Sequence, residues 1–506
     1  MVCVVKTVAF NGIKAELVEV QASKSQGTPG FVIVGLPDKA VNESRERVRA
    51  VFNALGIDFP NDHVVVNLSP ADLLKEGAHY DLPIALSVMG LTGYIKNDML
   101  KKLIFMGALS LDGSVERVNG VLPAAVKAGV LDMGIVCPKD NGQEAALSAN
   151  QQILPIGHIL ELVNYFKGTA VIMPPLKPEI THNAKYQLDM ADVKGQESAK
   201  RAMLIAAAGG HNLLMIGPPG SGKTMLAERL PTILPEMSVK EALETAMIHS
   251  VAGMLTDEIN FLRPFRAPHH SASTPALVGG GRRGVPGEIS LADNGVLFLD
   301  ELPEFSRATL DALRQSLESK TAVIARVAAH TEYPANFQLI AAMNPCKCGY
   351  LGTNERQCPK APLCAMEYLS RLSGPFLDRF DMQIEVPPAD VYQLTQLKKG
   401  TDSFTMRKQV IEAREICAER LDKLGVKNTL LNADLKGEIL EKVLDLNENL
   451  RQFVAESAQK CGLTARGVMR ILRLARTIAD LQKEKNVSKM HVMEALSYRR
   501  KLFNKT

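Results

Sequence analysis

Short apolar runs alternate with stretches of helical period over the first third of the chain, as in FVIVGLP at 31–37, HVVVNLSP at 63–70 and DLPIALSVMGLTGYI from 81. The short runs, bounded by turn formers, predict strands, and the longer periodic stretch predicts a helix. Residues 1–167 are therefore expected to form a mixed α/β domain. Periodicity stops over residues 168–187, where Pro174, Pro175 and Pro178 mark an extended linker. From 188 to 388, apolar strands such as NLLMIG and VLFLD are each followed by a loop and a helix, which predicts a parallel sheet covered on both faces. Residues 389–506 turn helical, with charged amphipathic segments around 405–424, 435–460 and 465–484. No fixed-period repeat or low-complexity tract interrupts this order.

The strongest chemical signal is GHNLLMIGPPGSGKTMLAERL: an apolar strand, then Gly217, Pro218, Pro219, Gly220, Ser221, Gly222, Lys223 and Thr224, then a helix. This is the strand–loop–helix context that a phosphate-binding loop requires. The glycines let backbone N–H groups turn toward phosphates at a helix N-terminus, where the dipole favours negative charge. Lys223 is assigned to the β/γ-phosphates and Thr224 to Mg²⁺, so ATP and Mg²⁺ are the expected substrate and cofactor.

Farther on, GVLFLDE carries Asp300 and Glu301 at the end of a second apolar strand, the edge where open α/β sheets place ligands. Asp300 suits the Mg²⁺ shell, and Glu301 suits the attacking water, because hydrolysis asks mainly for positioning and charge stabilisation. A third strand, FQLIAAMN, ends in Asn344, whose amide is placed to hold the same water. Adjacent His269 and His270 in FRAPHHSAS have no companion ligands at metal spacing and are read as loop structure.

Composition narrows the setting. Of the 506 residues, 46% are hydrophobic and 23% charged, enough for about three globular domains. No apolar stretch of membrane-spanning length and no secretory signal is evident, so a cytoplasmic protein without membrane attachment is expected. The formal charge is only +4, from 59 basic and 55 acidic residues, so any nucleic-acid contact must be local. Four of the eight cysteines, Cys346, Cys348, Cys358 and Cys364, crowd one segment. That clustering favours a structural zinc site over disulfides, although the first pair is tighter than usual zinc spacing; an iron–sulfur cluster and unligated thiols are the alternatives.

VKGQESAKRAMLIAAAGGHNLLMIGPPGSGKT, FRAPHHSAS, PGEISLADNGVLFLDELPEF, AAMNPCKCGY, SGPFLDRFD and LRLARTIADL together resemble the magnesium-chelatase-like AAA+ ATPases of bacteria, the ComM/YifB group in particular, over nearly the whole chain. The resemblance implies a P-loop AAA+ core with a four-cysteine insertion at 346–364, a helical C-terminal lid, and a nucleotide-dependent homo-hexamer with ATP between neighbouring subunits. It also implies that Arg379 of LDRFD is the arginine presented to the next subunit, with Arg371 the weaker candidate, and that Arg466 is the lid arginine that senses the γ-phosphate. Arg470, Arg473 and Arg476 follow on the same helix opposite Leu472 and Ala475, a basic face of the sort that is ordinarily solvated.

The N-terminal domain is similar to the proteolytic domain of Lon-type proteases, with LKEGAHYDLPIAL at the nucleophile turn and GALSLDGSVERVNGVLPAA at the lysine segment. His79 then occupies the serine position and Ala124 the lysine position, so a proteolytically inactive domain is expected, with Ser87 and Lys127 nearby as a conceivable replacement pair. The family further implies an ATP-driven DNA helicase or branch-migration motor acting on single-stranded or branched DNA in recombination or transformation. SKTAVIARVAAHTEYPANF reads as two strands with Lys320 and Arg326 available to phosphates. A protein remodeller and a chelatase-type ATPase subunit are the competing readings.

Overall fold

The computed structural model describes residues 2–176, 186–256, 259–281, 284–325, 330–351, 362–388, 400–426 and 431–499. Pro178, Arg326 and Cys358 fall outside them.

The first strands form a seven-stranded sheet in the order Gly30–Val34, His63–Ser69, Lys14–Ser25, Val2–Asn11, Leu103–Phe105, Gly134–Pro138, Ile153–Ile156. All neighbours are parallel except the two pairs made by Lys14–Ser25. Alternation along Val2–Asn11 sends Cys3 and Val5 into one core with helices Lys39–Ala54 and Asp81–Leu91, and Val8 into a second beneath helix Val121–Val130. The sequence-predicted strands over 31–37 and 63–70 and the helix from 81 are all present.

Between the two helices of the first core lies a fully buried carboxylate. Asp81 accepts two hydrogen bonds from Arg47, at 2.7 and 2.9 Å, one from the Ser44 hydroxyl, and one from the Leu109 N–H at 3.1 Å. Removing one partner of such a pair leaves an uncompensated buried charge. Because Arg47 retains some solvent contact, Arg47→Ala is expected to cost about 2–4 kcal/mol. The check is faster amide exchange at Leu103–Phe105 with exchange at Leu213–Ile216 unchanged.

The second sheet has the order Phe265–Arg266, Val296–Leu299, Gln338–Met343, Leu213–Ile216, Met382–Glu385, with every pair parallel. Its three central strands are buried throughout, as expected of a sheet covered on both faces. An antiparallel hairpin, Thr321–Ala325 with His330–Pro334, precedes the central strand, as the sequence predicts.

The C-terminal part is helical: Ser403–Lys423, Gly437–Leu444, Glu448–Cys461, Ala465–Leu481 and Lys489–Ser497. The single segment expected over 435–460 is two helices. Asp445 turns left-handed at φ 40°, and the Asn447 side chain caps the next helix through the Leu450 N–H. No helix among the described residues is long and apolar enough to cross a membrane.

Several contacts among the described residues tie the N-terminal sheet unit to the second. Helix Val121–Val130 packs on helix Val239–Val251, where the Ser250 hydroxyl donates to buried Glu144 at 2.5 Å and the Gly120 N–H donates to the Ser250 carbonyl at 3.1 Å. The turn at Gly12 abuts the backbone carbonyl of Glu332 in the hairpin, close enough that a Cβ would collide with it.

Candidate active site

The loop Gly217–Gly222 joins the buried strand Leu213–Ile216 to helix Lys223–Ile233. A Cβ at Gly217 would stand 2.1 Å from the Val386 carbonyl oxygen, and Gly220 and Gly222 take φ of 76° and 86°, so the path excludes larger residues. The buried Lys223 ammonium donates to the carbonyls of Gly217 (2.8 Å) and Pro218 (2.9 Å), with Ser221 Oγ at 3.3 Å and Asn344 Oδ1 at 3.4 Å. Burial lowers its pKa from the ordinary lysine value, and Asp300 opposes that. Thr224 donates to Asp300 Oδ2 at 2.9 Å. One cluster thus contains a cation, a hydroxyl–carboxylate pair and an amide carbonyl, the donor set that a Mg²⁺–triphosphate needs.

Parallel pairing explains the convergence. Gly217, Asp300 and Asn344 each follow one of three adjacent strands, so all emerge on the same sheet edge. Glu301 takes φ 50°, and its N–H donates to Asp300 Oδ1 at 2.8 Å. Its carboxylate is exposed and lies 3.3 Å from His270 Nδ1. This corrects the reading of His270 as loop structure alone. Phe265–Arg266 pairs with Val296–Leu297, so the loop that follows it arrives beside Glu301. Only strand order reveals that proximity; His269 meanwhile bonds Ser271 Oγ at 2.7 Å and lies against His270.

The turn into the strand that ends at Asp300 is held by buried Asp293, which accepts from the Asn336 N–H at 2.7 Å and the Asn294 amide at 2.9 Å. Burial pushes its carboxyl up to about 7, with Glu244 and Glu241 acting in the same direction against the Asn336 hydrogen bond. A folded pKa above the unfolded value means the contribution is complete below about pH 4 and is lost as pH rises through about 7. Asp293→Asn removes that dependence, so its stability relative to the parent should grow by roughly 1–3 kcal/mol between pH 5 and pH 8. Melting temperatures of both proteins at the two pH values measure this.

The arginines lie elsewhere. A cleft of about 1390 Å³ is lined by Arg379, Arg466, Arg470 and Arg473, and also by Asn212, Gly295, Gln338 and Asp381. Those last four begin or immediately precede the core strands, so the cleft opens on the edge opposite the phosphate loop, about 13 Å of strand away. Arg379 pairs with Glu318, and its buried Nε has no hydrogen-bond partner among the described residues. Burial lowers its pKa, and the charges of Arg470, Arg314 and Arg466 act the same way. Arg466 is exposed beside this group, remote from its own chain's phosphate loop, while Arg371 pairs with Glu304 at 2.7 Å.

The basic face of the Arg466 helix is solvated only in part: Arg466 is exposed, whereas Arg470 and Arg476 are buried. Arg476 is fully buried, bonded to Asp480 and to the carbonyls of Glu484 and Lys485, and Arg470 bonds the Phe380 carbonyl at 3.1 Å. Both guanidinium groups tie the helix to neighbouring backbone instead. Lys320, half-exposed at the hairpin, pairs with Asp434 at 2.7 Å.

In the N-terminal sheet unit, His79 is buried with Nε2 2.9 Å from the Val8 carbonyl, and burial lowers its pKa. Ala124 is fully buried, and the buried Ser87 hydroxyl donates to the Ile84 carbonyl at 2.7 Å within its own helix. No hydrogen bond joins Ser87 to Lys127 among the described residues, so the replacement pair is not assembled. In the cysteine segment, the sulfurs of Cys346, Cys348 and Cys364 lie within 4.8 Å of one another.

Sequence comparisons agree with this geometry. Over 504 residues the chain is 46% identical to Competence protein ComM of Haemophilus influenzae, spanning 97% of this chain and 96% of that protein. The chain belongs to the ComM/YifB family of magnesium-chelatase-like AAA+ proteins. YifB of Salmonella typhimurium is 42% identical over 498 residues, covering 98% of this chain and 96% of the relative. Family models match residues 189–394 as magnesium chelatase subunit ChlI, 18–141 as subunit ChlI of Mg-chelatase, and 400–499 as the ChlI C-terminal part. The magnesium-chelatase 38 kDa subunit of Rhodobacter capsulatus is more distant, 25% identical over 331 residues, spanning 61% of this chain and 86% of that subunit. ComM/YifB membership carries with it an AAA+-type ATPase that uses ATP and Mg²⁺.

Proposed function

We propose that this ComM/YifB-family chain is an ATP-driven DNA motor, a helicase or branch-migration factor, working as a homo-hexameric ring with each ATP between two subunits. The supporting observation is the separation of Arg379 and Arg466 from Lys223 by the length of the core strands. Arginines on that edge serve a nucleotide held by the neighbouring subunit, and such trans arginines stabilise transition-state charge.

In this reading, backbone N–H groups of Gly217 to Gly222 cradle the phosphates, and Lys223 exchanges its loop carbonyls for the β/γ-phosphate oxygens. Thr224 and Asp300, already paired, hold Mg²⁺, which when bound neutralises charge developing on the phosphates. Glu301 turns from His270 to take a proton from the attacking water, and Asn344 orients that water through its amide. Residues 389–506 act as the lid, residues 168–187 as the linker, and residues 1–167 as a Lon-like domain without peptidase chemistry that relays between helix Val239–Val251 and the hairpin.

The DNA assignment draws support from the competence protein to which the chain is similar over 97% of its length. The test is ATP hydrolysis with no polymer, single-stranded DNA, a four-way junction or unfolded casein, at low and moderate salt. DNA stimulation that weakens steeply with salt supports the motor. Stimulation by casein alone makes this a protein remodeller.

A further inference from the structure

Hydrolysis of ATP by the residues above has no need of thiols, yet three converge beside the site. Cys346 and Cys348 follow the strand Gln338–Met343, and Cys364 lies in helix Leu363–Leu369. Their sulfurs lie within 4.8 Å of one another, Cys346 and Cys348 at 3.2 Å, and no disulfide joins the described cysteines. Around a tetrahedral Zn²⁺ with Zn–S bonds of about 2.3 Å, sulfurs stand about 3.8 Å apart. Sulfurs that all lie within 4.8 Å of one another are close enough to reach that spacing with small shifts. Cys346 is fully buried with Ala365 against Leu351 and Cys364, so the cluster is the small core of its own segment.

The segment also touches the phosphate loop. Its first turn is closed by the Gly349 N–H donating to the Cys346 carbonyl at 2.9 Å. Gly349 has φ 82°, and a Cβ there would stand 2.6 Å from Pro219 Cδ. The turn bearing two of the three thiols therefore rests directly on Pro219, and Asn344 lies two residues before Cys346.

We propose that Cys346, Cys348 and Cys364 hold one thiophilic divalent cation, Zn²⁺, and that its occupancy sets the position of Pro219 and thereby the affinity of the phosphate loop for nucleotide. The regulatory half rests on the ATPase reading above. The ion cross-links the turn at 346–349 to the helix at 363–369. Without it, the turn keeps its Gly349–Cys346 hydrogen bond and the packing of Cys346 against Ala365 and Leu351, but loses the cross-link that fixes its contact with Pro219. Binding free energies couple reciprocally, so nucleotide must in turn retain the metal.

The experiment uses the full chain purified without added metal. Elemental analysis should find about one zinc per chain, lost in Cys348→Ser, and Co²⁺ exchanged into the site should give a thiolate-to-metal charge-transfer band. Fluorescent ADP should bind the zinc-stripped protein and Cys348→Ser about 5- to 100-fold more weakly than the loaded parent, with circular dichroism confirming that both remain folded. Conversely, Mg–ADP should slow zinc release to a chromophoric chelator by the same factor. Gly349→Ala should keep its zinc while the loaded and stripped forms bind ADP alike.

Zinc far below one per chain, with every thiol reactive, overturns the site. Full zinc with identical ADP affinity before and after stripping overturns the coupling. Loaded protein that binds ADP yet hydrolyses no ATP counts against the motor reading instead and leaves the metal result standing.

Discussion

Glu301→Gln is expected to lower kcat for ATP hydrolysis by about 10²–10⁴ while nucleotide still binds, because removal of a general base costs that much when the binding groups remain. Lys223, Thr224 and Asp300 make their hydrogen bonds without Glu301, whose exposed carboxylate contacts His270. The loss should therefore lie in kcat, with little change in Kd for ATP. Measurement of both constants decides it. An unchanged kcat removes Glu301 from the chemistry, and equal losses in kcat and binding make it a structural residue of the loop.

Arg379→Ala should reduce kcat by about 10³ or more in the assembled protein, the range for arginines supplied between subunits. The mutated chain keeps a complete phosphate loop, since Arg379 lies across the sheet from Lys223. Mixing it with Lys223→Ala chains should then restore part of the activity, because some interfaces pair an intact loop with an intact arginine. Each variant alone should be inactive. Mixtures that stay inactive under conditions that exchange subunits would show that Arg379 serves its own chain or only the fold. Its pairing with Glu318 means the guanidinium must leave that carboxylate to act, so Glu318→Gln should not impair hydrolysis.

Much of the nucleotide site is legible in the sequence because phosphate binding by a loop is local chemistry. Gly217 to Thr224 are consecutive, and the strand before them and helix after them are set by apolar run and period. Asp300 and Asn344 are legible for a related reason: each ends an apolar strand, and strands of a parallel sheet deliver their ends to one edge. The strands expected at 31–37 and 63–70 also form, since alternation along a half-buried strand leaves little choice of face.

Other expectations failed where packing and specific hydrogen bonds decide the outcome. The arginines at 470 and 476 have the spacing of a solvated face, but the Phe380 carbonyl draws Arg470 inward, and Asp480 with the Glu484 and Lys485 carbonyls draws Arg476. The pairing of Lys320 with Asp434, over a hundred positions along the chain, is likewise invisible to local pattern. A helical period spanning 435–460 cannot signal that Asp445 will turn left-handed between two segments packing in different directions.

By itself, then, the sequence determined the phosphate loop, the acidic strand end and the membership that joins this chain to the ComM/YifB proteins, because these rest on contiguous residues whose chemistry is set by their neighbours in the chain. Tertiary structure alone decided that His270 meets Glu301, that Arg379 and Arg466 share an edge remote from their own phosphate loop, and that the cysteine turn rests on Pro219. Each of these is a contact between segments far apart in sequence, and strand order and burial, which no local pattern encodes, choose which segments meet.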